Sequence, residues 1–195
     1  MGFLWFKTKK EKQAEEDDGW YKDVAVSEQG WWLRMAVASD LGSVRSNNED
    51  NFLMDGICNE EQAGQYYYEE DQCLDQCRIV AVFDGMGGES SGELASLTAA
   101  KMMGTVASNQ GSTDLKTFAK TIKNSFCEIN NRIVEYQNEQ KSMIGTTAVV
   151  VCTDGEEFQV MNCGDSRAYL FREGEISCLT KDHTLASDRI AQGRY

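Results

Sequence analysis

The sequence has no proline, a single histidine, few basic residues for its length and no long apolar run. The missing proline is unusual and points to no function, but each other shortage excludes something. With His183 as the only histidine, no Cys/His zinc site can form beside the one close cysteine pair, Cys73 and Cys77. Lysine and arginine total 19 against 32 acidic residues, a formal net charge of −13. That sign argues against a nucleic-acid partner, because such binding needs basic surface to displace counterions from phosphates. No apolar stretch approaches the length of a membrane-spanning helix. The four apolar residues from Phe3 to Phe6 are too few for a secretory signal, and the lysines follow them where a signal would place them ahead. Position 6 is Phe where a myristoylation signal carries Ser or Thr. Weak adhesion of this stretch to an anionic membrane stays open beside the simpler reading, a flexible leader.

The seven cysteines, Cys58, Cys73, Cys77, Cys127, Cys152, Cys163 and Cys178, are odd in number and irregularly spaced. A reduced chain in the cytoplasm is the simplest account. At 195 residues, 41 % hydrophobic and 26 % charged, the chain is sized and composed for one globular domain with a substantial core. Its carboxylate surplus suits solubility or the binding of hard cations.

Residues 1–30 are polar and mixed in charge, with an acidic run from Glu15 to Asp18, and are expected to be a flexible leader. The ordered domain is expected over 31–195. Leu33–Ala38 alternates as a strand, with Asn51–Met54 as its expected partner. Residues 55–77 are acidic, contain Tyr66, Tyr67 and Tyr68, show neither a helical nor a strand period, and read as a loop insertion. Arg78–Phe83 is a β-branched apolar run ending at Asp84-Gly85, the pattern of a buried strand entering a turn. Helices are expected from Glu93 to about Val106 and along Leu115, Phe118, Ile122, Phe126, Ile129, Ile133 and Tyr136, whose spacing gives one apolar face. Ser112 or Thr113 is the candidate N-cap of the second, with Asp114 in its first turn. Strands follow at Thr146–Cys152, Phe158–Cys163, Ala168–Phe171 and Ile176–Leu179. Strands, two helices, then strands indicate an α+β layered fold.

Three clusters stand where strands meet turns. The first, Ser39 to Phe52, sets Arg45 four residues before the acidic pair Glu49 and Asp50. A guanidinium fork fits phosphate oxygens, and neighbouring carboxylates can hold a divalent cation or orient water. A plain ion pair on a solvated loop explains the same residues. In the second, Val82 to Glu93, Asp84 ends a buried strand and Gly85 permits a sharp turn that exposes its carbonyl; both are oxygen donors suited to Mg2+ or Mn2+. A simple turn is again the alternative. A dinucleotide-binding loop fails on spacing, because position 90 is Ser, and no Gly-Lys-Ser/Thr follows for a nucleotidase loop. The third cluster, Asn162 to Tyr169, places Asp165 between two strands, with a connecting turn as its plain explanation.

Taken in order, with Gly145-Thr146-Thr147-Ala148 and Gly164 through His183, the clusters resemble the metal-dependent protein phosphatases of the PPM family, also called type 2C, over roughly residues 33 to 190. The resemblance implies a β-sandwich of two mostly antiparallel sheets flanked by helices, a four-layer αββα arrangement. It implies hydrolysis of phosphoserine and phosphothreonine in proteins, counteracting a Ser/Thr kinase. Two Mn2+ or Mg2+ ions about 4 Å apart would activate the attacking water. By position, Asp84 looks like the carboxylate bridging both metals, with the Gly85 carbonyl on one of them. Glu49 and Asp50 look like the pair holding metal-bound waters, Arg45 like the phosphate clamp, and Asp165 like the aid to a weaker third metal.

Two departures from the family pattern matter. Met86 stands where some relatives carry a histidine that protonates the leaving alcohol, although many bacterial members also read Asp-Gly-Met-Gly-Gly. That leaves the general acid unassigned, with metal-bound water a candidate, and His183 is expected to be structural. The family also supplies two later metal aspartates, in Ser-Asp-Gly and Asp-Asn contexts, which these 195 residues do not contain. The expectation is therefore a sandwich incomplete at its C-terminus, with apolar faces uncovered, and a monomeric fragment with weak or no activity alone. The alternative is a non-catalytic module that binds a phosphoprotein or regulatory partner through the Arg45 and Asp84 region.

Overall fold

The computed structural model describes residues 2–10, 31–60, 65–87 and 91–193. Residues 11–30 of the expected leader, with its acidic run, and residues 88–90 of the second cluster lie outside the described residues.

The chain folds as two antiparallel sheets stacked on each other, with two long helices on the larger sheet. Strands β1 (Gly2–Lys10), β2 (Trp31–Asp40) and β4 (Gln65–Leu74) form the smaller sheet in the order β1-β2-β4. The larger follows the order β3 (Asp50–Met54), β5 (Arg78–Gly87), β7 (Ala148–Thr153), β8 (Phe158–Cys163), with β6 (Ile144–Thr146) also pairing β5. Helices α1 (Gly92–Gln110) and α2 (Leu115–Gln140) precede β6. A separate hairpin, β9 (Tyr169–Arg172) and β10 (Glu175–Cys178), and the short α3 (Leu185–Ala191) complete the described chain. This is the expected α+β sandwich. Both long helices lie on the five-stranded sheet, so the described residues supply three of the four expected layers.

Alternation along the central strands divides the core in two. Ile79, Ala81 and Phe83 of β5, with Ala148, Val150 and Cys152 of β7, face the helices and meet Ala95, Ala99 and Met103 of α1 and Phe118, Ile122 and Ile129 of α2. Val80 and Val82, with Val151, Phe52 and Met54, face the other sheet and meet Leu33, Met35 and Val37 of β2. Phe52, Phe83 and Phe118 are each at most 2 % exposed, and a large apolar side chain so buried contributes roughly 1.5–3 kcal/mol.

Four expectations from sequence are corrected. Asn51–Met54 does not pair with β2; it pairs with β5, and β2 faces it across the sandwich interior. Within the expected leader, Gly2–Lys10 forms a strand registered against β2 along its whole length. Within the 55–77 segment, Gln65–Leu74 is not loop but pairs with all ten residues of β2. Both are outer strands of the small sheet, and an outer strand pairs through its backbone without needing an apolar alternation. At α2, Asp114 is itself the N-cap, its carboxylate accepting from Thr117 N at 3.0 Å, while Ser112 braces Asp114 by accepting its N–H at 3.1 Å.

The hairpin and α3 pack little. Phe171 and Ile176 are cross-strand partners, 69 % and 71 % exposed, and α3 has no buried residue. Among the described residues no helix is long and apolar enough to cross a membrane.

Candidate active site

The inter-sheet stripes turn polar at one common end. Val37 gives way to Ser39 on β2, Phe52 to Asp50 on β3, Val82 to Asp84 on β5, and Val149 to Thr147 just before β7. Asp50 and Asp84 are register partners across β3 and β5, so their side chains leave the same face of the sheet side by side. A cleft of about 750 Å3 opens there, lined by Asp40 to Arg45, Asn47 to Asn51, Val82 to Asp84 and Asp165 to Arg167, with Tyr169. Arg45, Glu49, Asp50, Asp84 and Asp165 of the three sequence clusters therefore line one cleft, although 120 positions separate Arg45 from Asp165, whereas Gly85 is buried and is not among the lining residues.

Each member is held from behind. Asn48 donates to Ser39 Oγ at 2.8 Å and accepts from Asp50 N at 3.2 Å, which sets where β3 begins. The buried Asn51 amide donates to the Asn59 carbonyl at 3.1 Å, and its Oδ1 accepts from Asn59 N at 3.0 Å, closing the turn after β3. The Glu49 carbonyl accepts from Gly85 N at 3.2 Å and from Ser96 Oγ at 2.7 Å, joining the first cluster to β5 and α1. Glu49 and Asp50 both line the cleft but have different neighbours. The Glu49 carboxylate accepts from Arg45 Nη1 at 3.0 Å and lies against Gly92, the first residue of α1, where the helix dipole favours negative charge. Asp50 points into the cleft side of the sandwich.

Asp84 is anchored through its backbone to Thr147. Its N–H donates to Thr147 Oγ1 at 3.1 Å, and its carbonyl accepts from Thr147 N at 2.9 Å and Thr146 Oγ1 at 3.1 Å. Its carboxyl is pushed above the ordinary value, first by loss of solvent at the cleft wall, then by the charges of Asp50 and Asp165; Arg45 draws it partly back. Asp165 reaches the cleft from the turn after β8, where Gly164 at φ +100° packs on the Thr147 methyl. A Cβ at Gly164 would come within 2.7 Å of Thr147 Cγ2. Arg167 forms a forked pair with Asp182, at 2.7 and 2.5 Å, that lowers the Asp182 carboxyl below its usual range. His183 N–H donates to the Gly164 carbonyl at 2.9 Å, a backbone contact that steadies the same turn.

Thr147, Ser166 and Ser96 were not singled out by their chemistry from sequence. Thr147 carries a signal all the same: it is a polar residue in phase with Val149 and Val151, as Asp84 is with Val80 and Val82.

The model for protein phosphatase 2C matches residues 39–189. The chain belongs to the protein phosphatase 2C family. It is 30 % identical over 162 residues to the serine/threonine protein phosphatase PstP of Mycobacterium tuberculosis, covering 83 % of this chain and 27 % of that one. It is 29 % identical over 160 residues to the serine/threonine phosphatase stp of Listeria welshimeri, covering 80 % and 56 %. Among solved structures, the S. agalactiae serine/threonine phosphatase superposes with a TM-score of 0.63 at 27 % identity, covering 82 % of this chain and 61 % of that one. The PstP catalytic domain in complex with two manganese ions gives 0.58 at 22 % identity over 100 % of this chain and 63 % of that one, a likeness of fold. The chain thus spans between about a quarter and three fifths of these relatives.

The donors at the cleft fit the cations this family uses. They are the hard carboxylate oxygens of Asp50, Asp84 and Asp165, which line one cleft with Arg45, whose guanidinium is shared with Glu49. Among the described residues no three acidic, histidine or cysteine side chains close on a single point. The fit is that of an open site.

Proposed function

We propose that this chain carries part of the active site of a metal-dependent phosphatase that hydrolyses phosphoserine and phosphothreonine in proteins. The observation that carries this reading is the convergence of Asp50, Asp84 and Asp165 with Arg45 at one cleft. The two manganese ions of the PstP structure support Mn2+ as the cation, and Mg2+ suits the same donors. The Asp84 carboxylate and the Gly85 carbonyl would hold the pair, Asp50 and Glu49 would act through water, and Asp165 would serve a more weakly held third ion. When bound, such cations supply Lewis acidity to a water and to the phosphoryl oxygens.

The chain's own residues place the reactants. Asp50, on the cleft side of β3, accepts a hydrogen bond from the attacking water and aims it. Arg45, with its side chain 66 % exposed and one nitrogen on Glu49, presents its remaining N–H groups to the phosphoryl oxygens. Met86, 64 % exposed, has no proton to give the leaving alcohol. In this reading the protein acts on phosphoproteins as a cytoplasmic monomer, opposing a Ser/Thr kinase.

The test is hydrolysis of a phosphothreonine peptide by the chain with Mn2+, then with chelator; turnover that survives chelation rules the reading out. Arg45→Ala should raise KM for the peptide about tenfold or more, since a charge-assisted hydrogen bond contributes roughly 1.5–3 kcal/mol. Arg45→Lys should recover only part of that, because it restores the charge and not the fork. A second reading is a non-catalytic phosphoprotein-binding module, which rests on the exposed Arg45 guanidinium at the mouth of the cleft. Peptide binding that needs Arg45, without turnover in Mn2+, would select it.

A further inference from the structure

We propose that Thr147 is a positioning residue whose hydroxyl ties Asp84 to the turn carrying Asp165, setting the spacing of the two carboxylates across the cleft. The proposal rests on the phosphatase reading above and deepens it.

Thr147 is the single residue between β6 and β7, directly beside Asp84, at the point where the larger sheet passes from apolar to polar. It is only 9 % exposed, so its hydroxyl must find partners within the protein. It finds one on each side. Oγ1 accepts from Asp84 N–H at 3.1 Å and shares a 2.6 Å hydrogen bond with Ser166 Oγ, the residue next to Asp165. The backbone N–H of Thr147 donates to the Asp84 carbonyl at 2.9 Å, so Asp84 is held from both ends. The methyl group is fixed too, because Gly164 packs on it too closely to admit a Cβ. With hydroxyl and methyl both engaged, Thr147 has one rotamer that suits the site.

The consequence concerns charge as well as geometry. Asp84 and Asp165 repel across the cleft, and the turn from Gly164 to Arg167 is otherwise anchored away from Asp84, through Asp182 and His183. The Thr147–Ser166 hydrogen bond is the described link that draws this turn toward β5. Without it, repulsion would push Asp165 outward and widen the spacing that a cation must bridge.

The experiment compares Thr147→Val, Thr147→Ser and Ser166→Ala in the full chain. Mn2+ affinity is measured by calorimetry, and amide hydrogen exchange is followed at Asp84 and Ser166 without metal. Thr147→Val should weaken Mn2+ binding about tenfold, within the range for groups that orient metal ligands, and speed exchange at both amides. Thr147→Ser keeps the hydroxyl and should stay within about twofold of the parent on both readouts. Ser166→Ala should loosen Ser166 alone and weaken Mn2+ less; it decides the matter if Thr147→Val fails to fold. A folded Thr147→Val variant with parental Mn2+ affinity overturns the proposal, as does a Thr147→Ser variant as impaired as the valine. If the parent chain binds no Mn2+, the metallophosphatase reading falls, and exchange at Asp84 and Ser166 then decides whether Thr147 couples the two segments.

Discussion

Asp84→Asn is expected to lower Mn2+-dependent hydrolysis of a phosphothreonine peptide by more than about 100-fold, since even groups that merely orient metal ligands carry 10–100-fold effects. The same substitution should make the metal-free chain more stable at neutral pH. The sign follows from the direction of the Asp84 shift. Partial loss of solvent at the cleft wall and the charges of Asp50 and Asp165 raise its carboxyl in the folded chain above the unfolded value, with Arg45 opposing. The folded chain then binds the proton more tightly than the unfolded one, so ionising Asp84 costs stability as pH rises through that raised value. Asparagine keeps the shape without the charge, removing a penalty present at pH 7 and absent below the ordinary aspartate range. Thermal melting in chelator at pH 7 and near pH 3 measures it: the variant should melt higher at pH 7, with the gain vanishing at low pH. Saturating Mn2+ should reverse the order by stabilising only the parent. An asparagine variant that keeps its turnover, or a parent that melts no lower in chelator at pH 7, would sink the assignment of Asp84 as a charge held ready for a cation.

That tension between stability and charge was partly legible in the sequence. Asp84 closing the run Ile79–Phe83 marks a carboxylate at the edge of a core, and Glu49 and Asp165 stand beside other strand ends, with Arg45 in the loop before β3. Local pattern identifies such ends because alternation and turn residues are properties of neighbours in sequence. Pairing is a property of the whole chain, which is why local pattern alone matches Asn51–Met54 with the wrong strand. Its alternation told which side chains face inward and left open whether β2 or β5 completes the ladder. Gly2–Lys10 and Gln65–Leu74 were missed for a related reason, since outer strands gain their hydrogen bonds from β2 without an apolar stripe of their own. The supports of the site were hardest to see. Ser96 bonds the Glu49 carbonyl across 47 positions, and Thr147 bonds Asp84 across 63. A hydroxyl in either place looks ordinary until the sheet and helix bring its partner near. Glu49 and Asp50 make the point too: adjacent carboxylates look alike in sequence, yet Glu49 lies against Arg45 and the start of α1, whereas Asp50 stands across from Asp84 on the sheet.

Gly85→Ala should be the most damaging glycine-to-alanine substitution among the described residues, costing more than about 3 kcal/mol, the upper end of ordinary overpacking. A Cβ at Gly85 would overlap the carbonyl oxygens of Gly92 and of Glu49, which are backbone atoms and cannot swing aside. The Glu49 carbonyl is fixed by Gly85 N and Ser96 Oγ, and Gly92 is fixed as the start of α1. Relief requires β5, β3 and α1 to part where they meet beside Asp84. With a urea dependence of roughly 1–3 kcal/mol per molar, the unfolding midpoint should fall by about 1 M or more. Gly174→Ala is the control, since Gly174 sits at φ +83° in open space and its alanine carries only backbone strain, about 1–2 kcal/mol. Equal midpoints for the two variants would mean that the junction yields, and that Gly85 matters only for its turn. A far larger fall at Gly85, with Mn2+ affinity lost in whatever folded fraction remains, would show that the backbone contact between Gly85, Glu49 and Gly92 keeps the carboxylates of two strands and the start of a helix in one site.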